Sequence, residues 1–308
     1  MITYYLRLIC AGIYTLIFFS TLLGCSTDLT ELKSLGFGSD STFDVVSWNV
    51  GLFPKNRSSA NVVEAILANL EADVYALQEI EDTTLLKKVV ANIPDYKCHF
   101  QRNNYDGLAY VYNTTTVKVN EKYEILLSEP YYEDVRRYTF ARTPQVLNLS
   151  FNEKDYFVIN NHFICCGDGI LKTNEWWDEE NRKLKAATQL KEYIDNNLAS
   201  KNVIVVGDLN DQLIDSPSNN VFQNLINDSA NYLFADMKIS LGNSADWSWP
   251  KGPAQLDHIL ITNELFADFQ HPNSEVTVIR IDDYMSGWWN YYKRKVSDHR
   301  PVGIKLDF

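Results

Sequence analysis

The sequence predicts an α/β fold: a four-layer sandwich of two mixed, mainly antiparallel sheets packed face to face, with helices outside. Three observations point there. Short apolar runs of strand length alternate with segments whose apolar residues recur at helical spacing. Hairpin-like pairs stand beside strand–helix–strand units, so the sheets are mixed. No internal repeat or low-complexity linker interrupts the chain after Asp40, so its 308 residues hold one large domain, 43–308.

The chain opens with a leader. One cation, Arg7, precedes an apolar run ending in Leu22, Leu23, Gly24 and Cys25. The run is short for a spanning helix, which needs about 20 residues, and reads as an export signal over 1–24. Its end resembles a bacterial lipoprotein lipobox. Cys25 is then the acylated new N-terminus and 25–42 a polar tether. The expectation is an exported protein, lipid-anchored to a bacterial membrane on its periplasmic or cell-surface side.

The domain elements follow in order. Residues 43–49 are strand-like. In 60–70, Val62, Val63, Ile66, Leu67 and Leu70 fall at helical spacing. Residues 73–79 are a strand, and 84–93 a helix stopped by Pro94. The segments 108–112, 145–151 and 156–161 are strands, the last two joined by a turn at 152–155. Residues 176–198 are a helix with Leu184, Ala187, Leu190 and Ile194 on one face. Residues 203–206 are fully apolar, which suits a central strand. Residues 255–262 and 302–308 are the last strands.

Composition narrows the function. The formal net charge of −12 counts against tight, long-footprint nucleic-acid binding, which needs a basic surface. It does not exclude cutting, because a bound divalent cation brings positive charge to the scissile phosphate. With Cys10 removed and Cys25 lipidated, Cys98, Cys165 and Cys166 remain. One disulfide is open to them, Cys98 with either neighbour, and their spacing is not that of a zinc site.

Polar residues gather at strand ends. Asn49 ends Trp48-Asn49, and Glu79 ends Gln78-Glu79. His162 follows Asn161, and Asp208 and Asn210 follow Gly207. Asp257 and His258 follow Leu256, and Asp298 and His299 follow Ser297. One carboxylate at a strand end is ordinary turn chemistry. Six such clusters on strands that share a rim can build one site. Hydrolysis of a phosphodiester needs a hard cation, an activated water and a stabilised leaving oxygen. Magnesium or manganese prefers carboxylate oxygen. Glu79 is the first-choice ligand, with Asn49 and Asp298 beside it. Asp208 acts on water and Asn210 holds a phosphate oxygen. His299 contacts the phosphate and Asp257 orients His299. His162 is the second imidazole, serving the other phosphate oxygen as a proton donor.

The series Trp-Asn, Gln-Glu, Asn-His, Gly-Asp-Leu-Asn, Leu-Asp-His and Ser-Asp-His resembles the endonuclease/exonuclease/phosphatase superfamily from about Phe43 to Phe308. The resemblance implies a DNase I-like sandwich and the same metal and catalytic assignments. It also implies that Asp106, before a strand, supports His162. Arg142 is a further candidate, for a forked phosphate contact. Val50-Gly51-Leu52 after Asn49 departs from abasic-site endonucleases that carry a carboxylate there.

Specificity stays open at this stage. The first expectation is a monomeric, endonuclease-like phosphodiesterase acting on nucleic acid. The second is a sphingomyelin or phospholipid phosphodiesterase, suggested by Trp288-Trp289 and a basic tail in an interfacial loop before Ser297. The third is a non-catalytic binding lipoprotein. The stretches 165–175, 243–253 and 281–295 are expected to be the loops that decide among substrates.

Overall fold

The alternation of strand and helix resolves into two six-stranded sheets. The computed structural model describes residues 32–101, 107–126 and 139–308. Its strands are β1 (Phe43–Phe53), β2 (Val74–Ile80), β3 (Tyr96–Phe100), β4 (Gly107–Asn113), β5 (Val117–Glu124), β6 (Gln145–Phe151), β7 (Lys154–His162), β8 (Asn202–Asp208), β9 (Tyr232–Phe234), β10 (Asp257–Thr262), β11 (Glu275–Val278) and β12 (Val302–Leu306). The longer helices are α1 (Ser59–Leu70), α2 (Thr83–Ala91), α3 (Glu179–Asn197) and α4 (Trp288–Lys295). One sheet has the order β11-β12-β1-β2-β4-β3, the other β5-β6-β7-β8-β10-β9. Among the described residues β1 with β2 and β7 with β8 are parallel, and the other pairs are antiparallel. Each parallel pair is bridged by a helix, α1 or α3, because a tight turn can only return a strand antiparallel.

Alternate residues of one strand serve two cores. Along β1, Phe43 and Val45 face the second sheet, where they meet Leu147, Val158 and Val206. Val46, Trp48 and Val50 face the helices, with Ile66 and Leu67 of α1. Outside the second sheet, Ala187, Leu190 and Ile194 of α3 pack on Val203 and Val205. With both faces covered, these central strands carry almost no polar alternation. Helix α1 has 12 residues, a length marginal in isolation. Its five buried aliphatic side chains, each worth about 1.5–3 kcal/mol, hold it on the sheet.

Several elements differ from expectation. Helix α3 starts at Glu179, because Asp178 caps it by accepting from the Asn181 amide at 2.9 Å. Trp176 and Trp177 therefore precede the helix and are exposed. The edge strands β3 and β5 were not legible: β5 carries Lys118, Asn120, Glu121 and Lys122, the charge that edges use against mispairing. The segment expected as an interfacial loop contains α4. Trp289 and Tyr292, three apart, form its inner face, Trp289 being 7% exposed against 68% for Trp288. No helix among the described residues is long and apolar enough to cross a membrane.

Candidate active site

The two parallel pairs end at one rim. Asn49 and Glu79 lie toward the ends of β1 and β2, and His162 and Asp208 close β7 and β8. His162 stands opposite Asp208 in the β7/β8 ladder, and Asp257 stands opposite Asp208 in the β8/β10 ladder. Side chains in register share a face, so three neighbouring strands deliver these three groups side by side. His258, one residue on, turns to the other face. It is fully buried between Asp236 at 2.6 Å and the Asp211 carbonyl at 2.8 Å, a structural histidine.

Local backbone irregularity aims the other groups. The β1/β2 register shifts between Asn49 and Phe53, and the β2/β4 register between Leu77 and Ile80. Glu79 itself sits in the left-handed region at φ 59°. Bulges of this kind re-aim side chains beside active sites. Gly207 has a φ of 149°, and a Cβ there would lie 2.0 Å from the Asn161 carbonyl oxygen. Glycine thus lets β8 approach β7 just before Asp208.

The polar groups form one connected set. Asn49 Nδ2 donates to Glu79 Oε1 at 3.0 Å and to Asp208 Oδ2 at 2.9 Å, while Asn49 Oδ1 accepts from the Gly51 amide at 2.9 Å. Glu79 Oε2 accepts from the Leu52 amide at 2.9 Å. His299 Nδ1 lies 2.7 Å from Asp257 Oδ2, and its Nε2 lies 3.8 Å from Asp208 Oδ2. His162 Nε2 lies 3.5 Å from Asp208 Oδ2 and 3.9 Å from Glu79 Oε1. Asp208 Oδ1 accepts from the Asn210 amide at 3.1 Å, and Asn210 Nδ2 donates to the Phe163 carbonyl at 3.2 Å. Behind the site, Tyr292 of α4 donates to the His299 carbonyl at 2.6 Å and accepts from Trp48 Nε1 at 3.0 Å. Ser297 Oγ donates to the Asn49 carbonyl at 2.6 Å.

Burial and charge set different protonation states. Burial disfavours a charged His299, but Asp257 and then Asp208 outweigh it and hold the imidazole up to about 10. Burial pushes Asp208 up to about 7, against the lowering pull of His299. Burial, with Arg142 and His299, drives His162 well below the ordinary imidazole value, so it is neutral. Its Nδ1 has no partner among the described residues. Asp298 is held low: burial opposes ionisation, but Lys55 at 3.2 Å overcomes it.

The donors suit a hard cation. Asp208, Asp257 and His299 offer ligand atoms within 4.8 Å of one another. A protonated His299 cannot be a ligand, so in that trio the two carboxylates are the usable part. Glu79 reaches the cleft with its carboxylate partly exposed, and Asp298 flanks the same cleft. Asn49 faces two carboxylates with Nδ2, which orients Glu79, and its Oδ1 accepts one bond, from Gly51, which leaves a second lone pair.

The structure brings Glu79, His162, Asp208, Asn210, Asp298 and His299 around one cleft of about 610 Å³, with Asn49 and Asp257 buried against it. Arg142 is half-buried and near enough to act on the charge of both His162 and Cys165. Asp106, Cys25 and the 1–24 segment lie outside the described residues. Sequence reasoning missed Lys55, which pairs with Asp298, and Lys183, buried on α3 and paired with Asp211 at 3.0 Å. Nothing local marks either lysine. It also missed the exposed edge-to-face pair Trp176 and Trp177. Cys98, Cys165 and Cys166 are free thiols, so neither pairing of Cys98 is formed.

Comparison with known proteins agrees with this fold. A search of the curated proteins finds no match. Solved structures do match in fold. TDP2 of D. rerio, complexed with a single-strand DNA product, superposes with a TM-score of 0.64 at 13% identity, covering 87% of this chain and 100% of that one. The human nocturnin catalytic domain with a bound sulfate anion gives 0.59 at 16% identity, covering 87% and 94%. An endonuclease/exonuclease/phosphatase family protein from Bacteroides thetaiotaomicron gives 0.59 at 17% identity, covering 88% and 99%. The family pattern itself spans residues 46–299, from β1 to His299, and the chain therefore belongs to the Endonuclease/Exonuclease/phosphatase family.

Proposed function

We propose that this chain hydrolyses phosphodiester bonds by attack of water, with nucleic acid as the substrate and magnesium or manganese as the cation. The carrying observation is the His299–Asp257 pair set beside Asp208 and Glu79 in one cleft. Glu79, flanked by Asp298 and oriented by Asn49, would hold the cation, which supplies positive charge to a non-bridging phosphate oxygen. His299, cationic at neutral pH, donates from Nε2 to the phosphate and meets the charge that develops there. Asp208 accepts the proton of the attacking water. A value near 7 leaves it partly ionised at neutrality and basic enough to act. Asn210 contacts a phosphate oxygen with its amide. His162 offers a neutral N–H to the other side, with Asp106 as its proposed support. Arg142 is proposed at the flanking phosphate.

The single-strand DNA product in the D. rerio TDP2 complex supports the nucleic-acid reading. The net charge of −12 favours a short footprint over long duplex tracking. Export through 1–24, a lipid on Cys25, a tether to residue 42 and a monomeric domain complete the proposal. One observation favours a second substrate class. Trp176 and Trp177, 49% and 54% exposed, form an apolar surface suited to a phospholipid headgroup region. The test is the purified chain with magnesium on single-stranded DNA, RNA, a soluble chromogenic phosphodiester and sphingomyelin vesicles, each with and without EDTA. Hydrolysis of nucleic acid that EDTA abolishes and His299→Ala loses is the expected result. Hydrolysis of lipid alone would favour the second reading. Parental turnover in EDTA would overturn both.

A further inference from the structure

Beyond His162 the chain leaves β7 and reaches two adjacent cysteines at the lip of the cleft. Cys165 and Cys166 are both exposed and both line the cavity that holds Asp208 and His299. Their Sγ atoms are 2.7 Å apart as free thiols; a disulfide would bring them to about 2.05 Å. The backbone that aims them together is left-handed, with φ of 74° at Cys166 and 108° at Gly167. A Cβ on Gly167 would fall 2.1 Å from Glu180 Oε1, so this turn is seated tightly against α3. The turn is also wired to the catalytic side. Buried Lys183 donates to the Cys166 carbonyl at 3.1 Å and to the Asn210 carbonyl at 3.0 Å. One ammonium thus ties the cysteine turn to the loop that carries Asn210.

We propose that Cys165 and Cys166 are a thiol-modification site, at which a low-molecular-weight disulfide closes them into an eight-membered ring disulfide and, through Lys183, displaces the catalytic loop.

The exchange balances. The Cys166 thiolate attacks one sulfur of RSSR and expels RS⁻, which takes up a proton. The Cys165 thiolate then attacks the Cys166 sulfur of the mixed disulfide and expels the second RS⁻. Two thiols lose two electrons and two protons, and RSSR becomes two RSH. Burial and the neighbouring thiol push Cys165 up to about 11, so Cys166 attacks first. The ring is reversible for a geometric reason. Neighbouring Cα atoms are about 3.8 Å apart across a trans peptide, below the roughly 4.4–6.8 Å of ordinary disulfides. Such strained, exposed bridges are the readily reduced ones.

The test is peptide mapping of the full chain after incubation with oxidised glutathione. The peptide carrying Cys165 and Cys166 should become lighter by two hydrogen atoms and refuse alkylation, while Cys98 stays alkylatable. Turnover on a soluble phosphodiester should fall by at least about fivefold, the low end of coupling between separate sites, and return with dithiothreitol. Cys166→Ser should form no ring and be insensitive to the oxidant, Cys165→Ser should stop at a glutathione adduct on Cys166, and Cys98→Ser should respond as the parent does. In the parent chain, a link to Cys98 or to a second chain, a persistent glutathione adduct, or a ring that leaves turnover unchanged would overturn the proposal. The mapping does not need turnover. If the reduced chain hydrolyses nothing, the reading under Proposed function fails and the ring alone decides this one.

Discussion

Asp257→Asn isolates the part of the site that keeps His299 charged. The substitution preserves shape and removes a charge 2.7 Å from His299 Nδ1. His299 is held at about 10 against an ordinary value of 6.5. That difference in proton affinity is worth about 5 kcal/mol, at about 1.4 kcal/mol per tenfold. Asp257 leads the stabilising partners, ahead of Asp208, and adds a hydrogen bond. Losing the leading partner of a charged hydrogen bond costs about 2–3 kcal/mol, or about two orders of magnitude in turnover if the imidazolium acts in the transition state. The Michaelis constant should change little. His299 loses its proton as pH rises through its folded value, so lowering that value moves the alkaline limb of the rate profile from near 10 toward neutrality. The assay is turnover on a soluble phosphodiester as a function of pH, with folding checked by circular dichroism. A well-folded variant within about threefold of the parent, with an unmoved alkaline limb, would refute the reasoning.

Three further outcomes are expected. Glu79→Gln should raise the magnesium concentration for half-maximal turnover by at least the roughly tenfold that loss of an outer-shell partner costs; a titration matching the parent would remove Glu79 from the cation site. Trp289→Ala should cost about 3–5 kcal/mol in urea unfolding, as for a core aromatic, and Trp288→Ala within about 0.5 kcal/mol; equal midpoints would mean that α4 is not seated on the core. At the far end of the first sheet, burial raises Asp44 to about 7 and Asp73 to about 6 from 3.8. The folded state binds these protons more tightly, so stability falls as pH rises from about 4 to about 7. Asp73→Asn keeps an acceptor for the Asp44 amide and should flatten that fall between about pH 4 and about pH 7; an unchanged slope in urea midpoints would refute it.

The site was legible because its chemistry sits at strand ends, where short polar words interrupt apolar runs. Asn49, Glu79, His162, Asp208, Asp257 and His299 could each be found in this way. Their roles were less legible, since those depend on partners in another strand. Asn49 reads as a ligand in sequence, and only the structure shows that its amide also stands between two carboxylates. Central strands announced themselves by continuous hydrophobicity, while β3, β5 and β11 are edge or near-edge strands with mixed residues and no such signal. Trp288-Trp289 showed the limit of composition. Adjacent aromatic residues on a helix point apart, and only the position of Tyr292 tells which one is inside.

The sharing of the site between the two sheets has a mechanical consequence. Asn49 and Glu79 arrive on one sheet, and His162, Asp208 and Asp257 on the other. The hydrogen bond from Asn49 to Asp208 crosses the seam. Neither sheet alone holds the whole proposed set, so on that proposal a severed or half-folded chain should be inactive. Activity would then gauge the docking of the sheets. It should vanish when the seam between Val45 and Val206 loosens, even while each sheet still keeps its own backbone ladder.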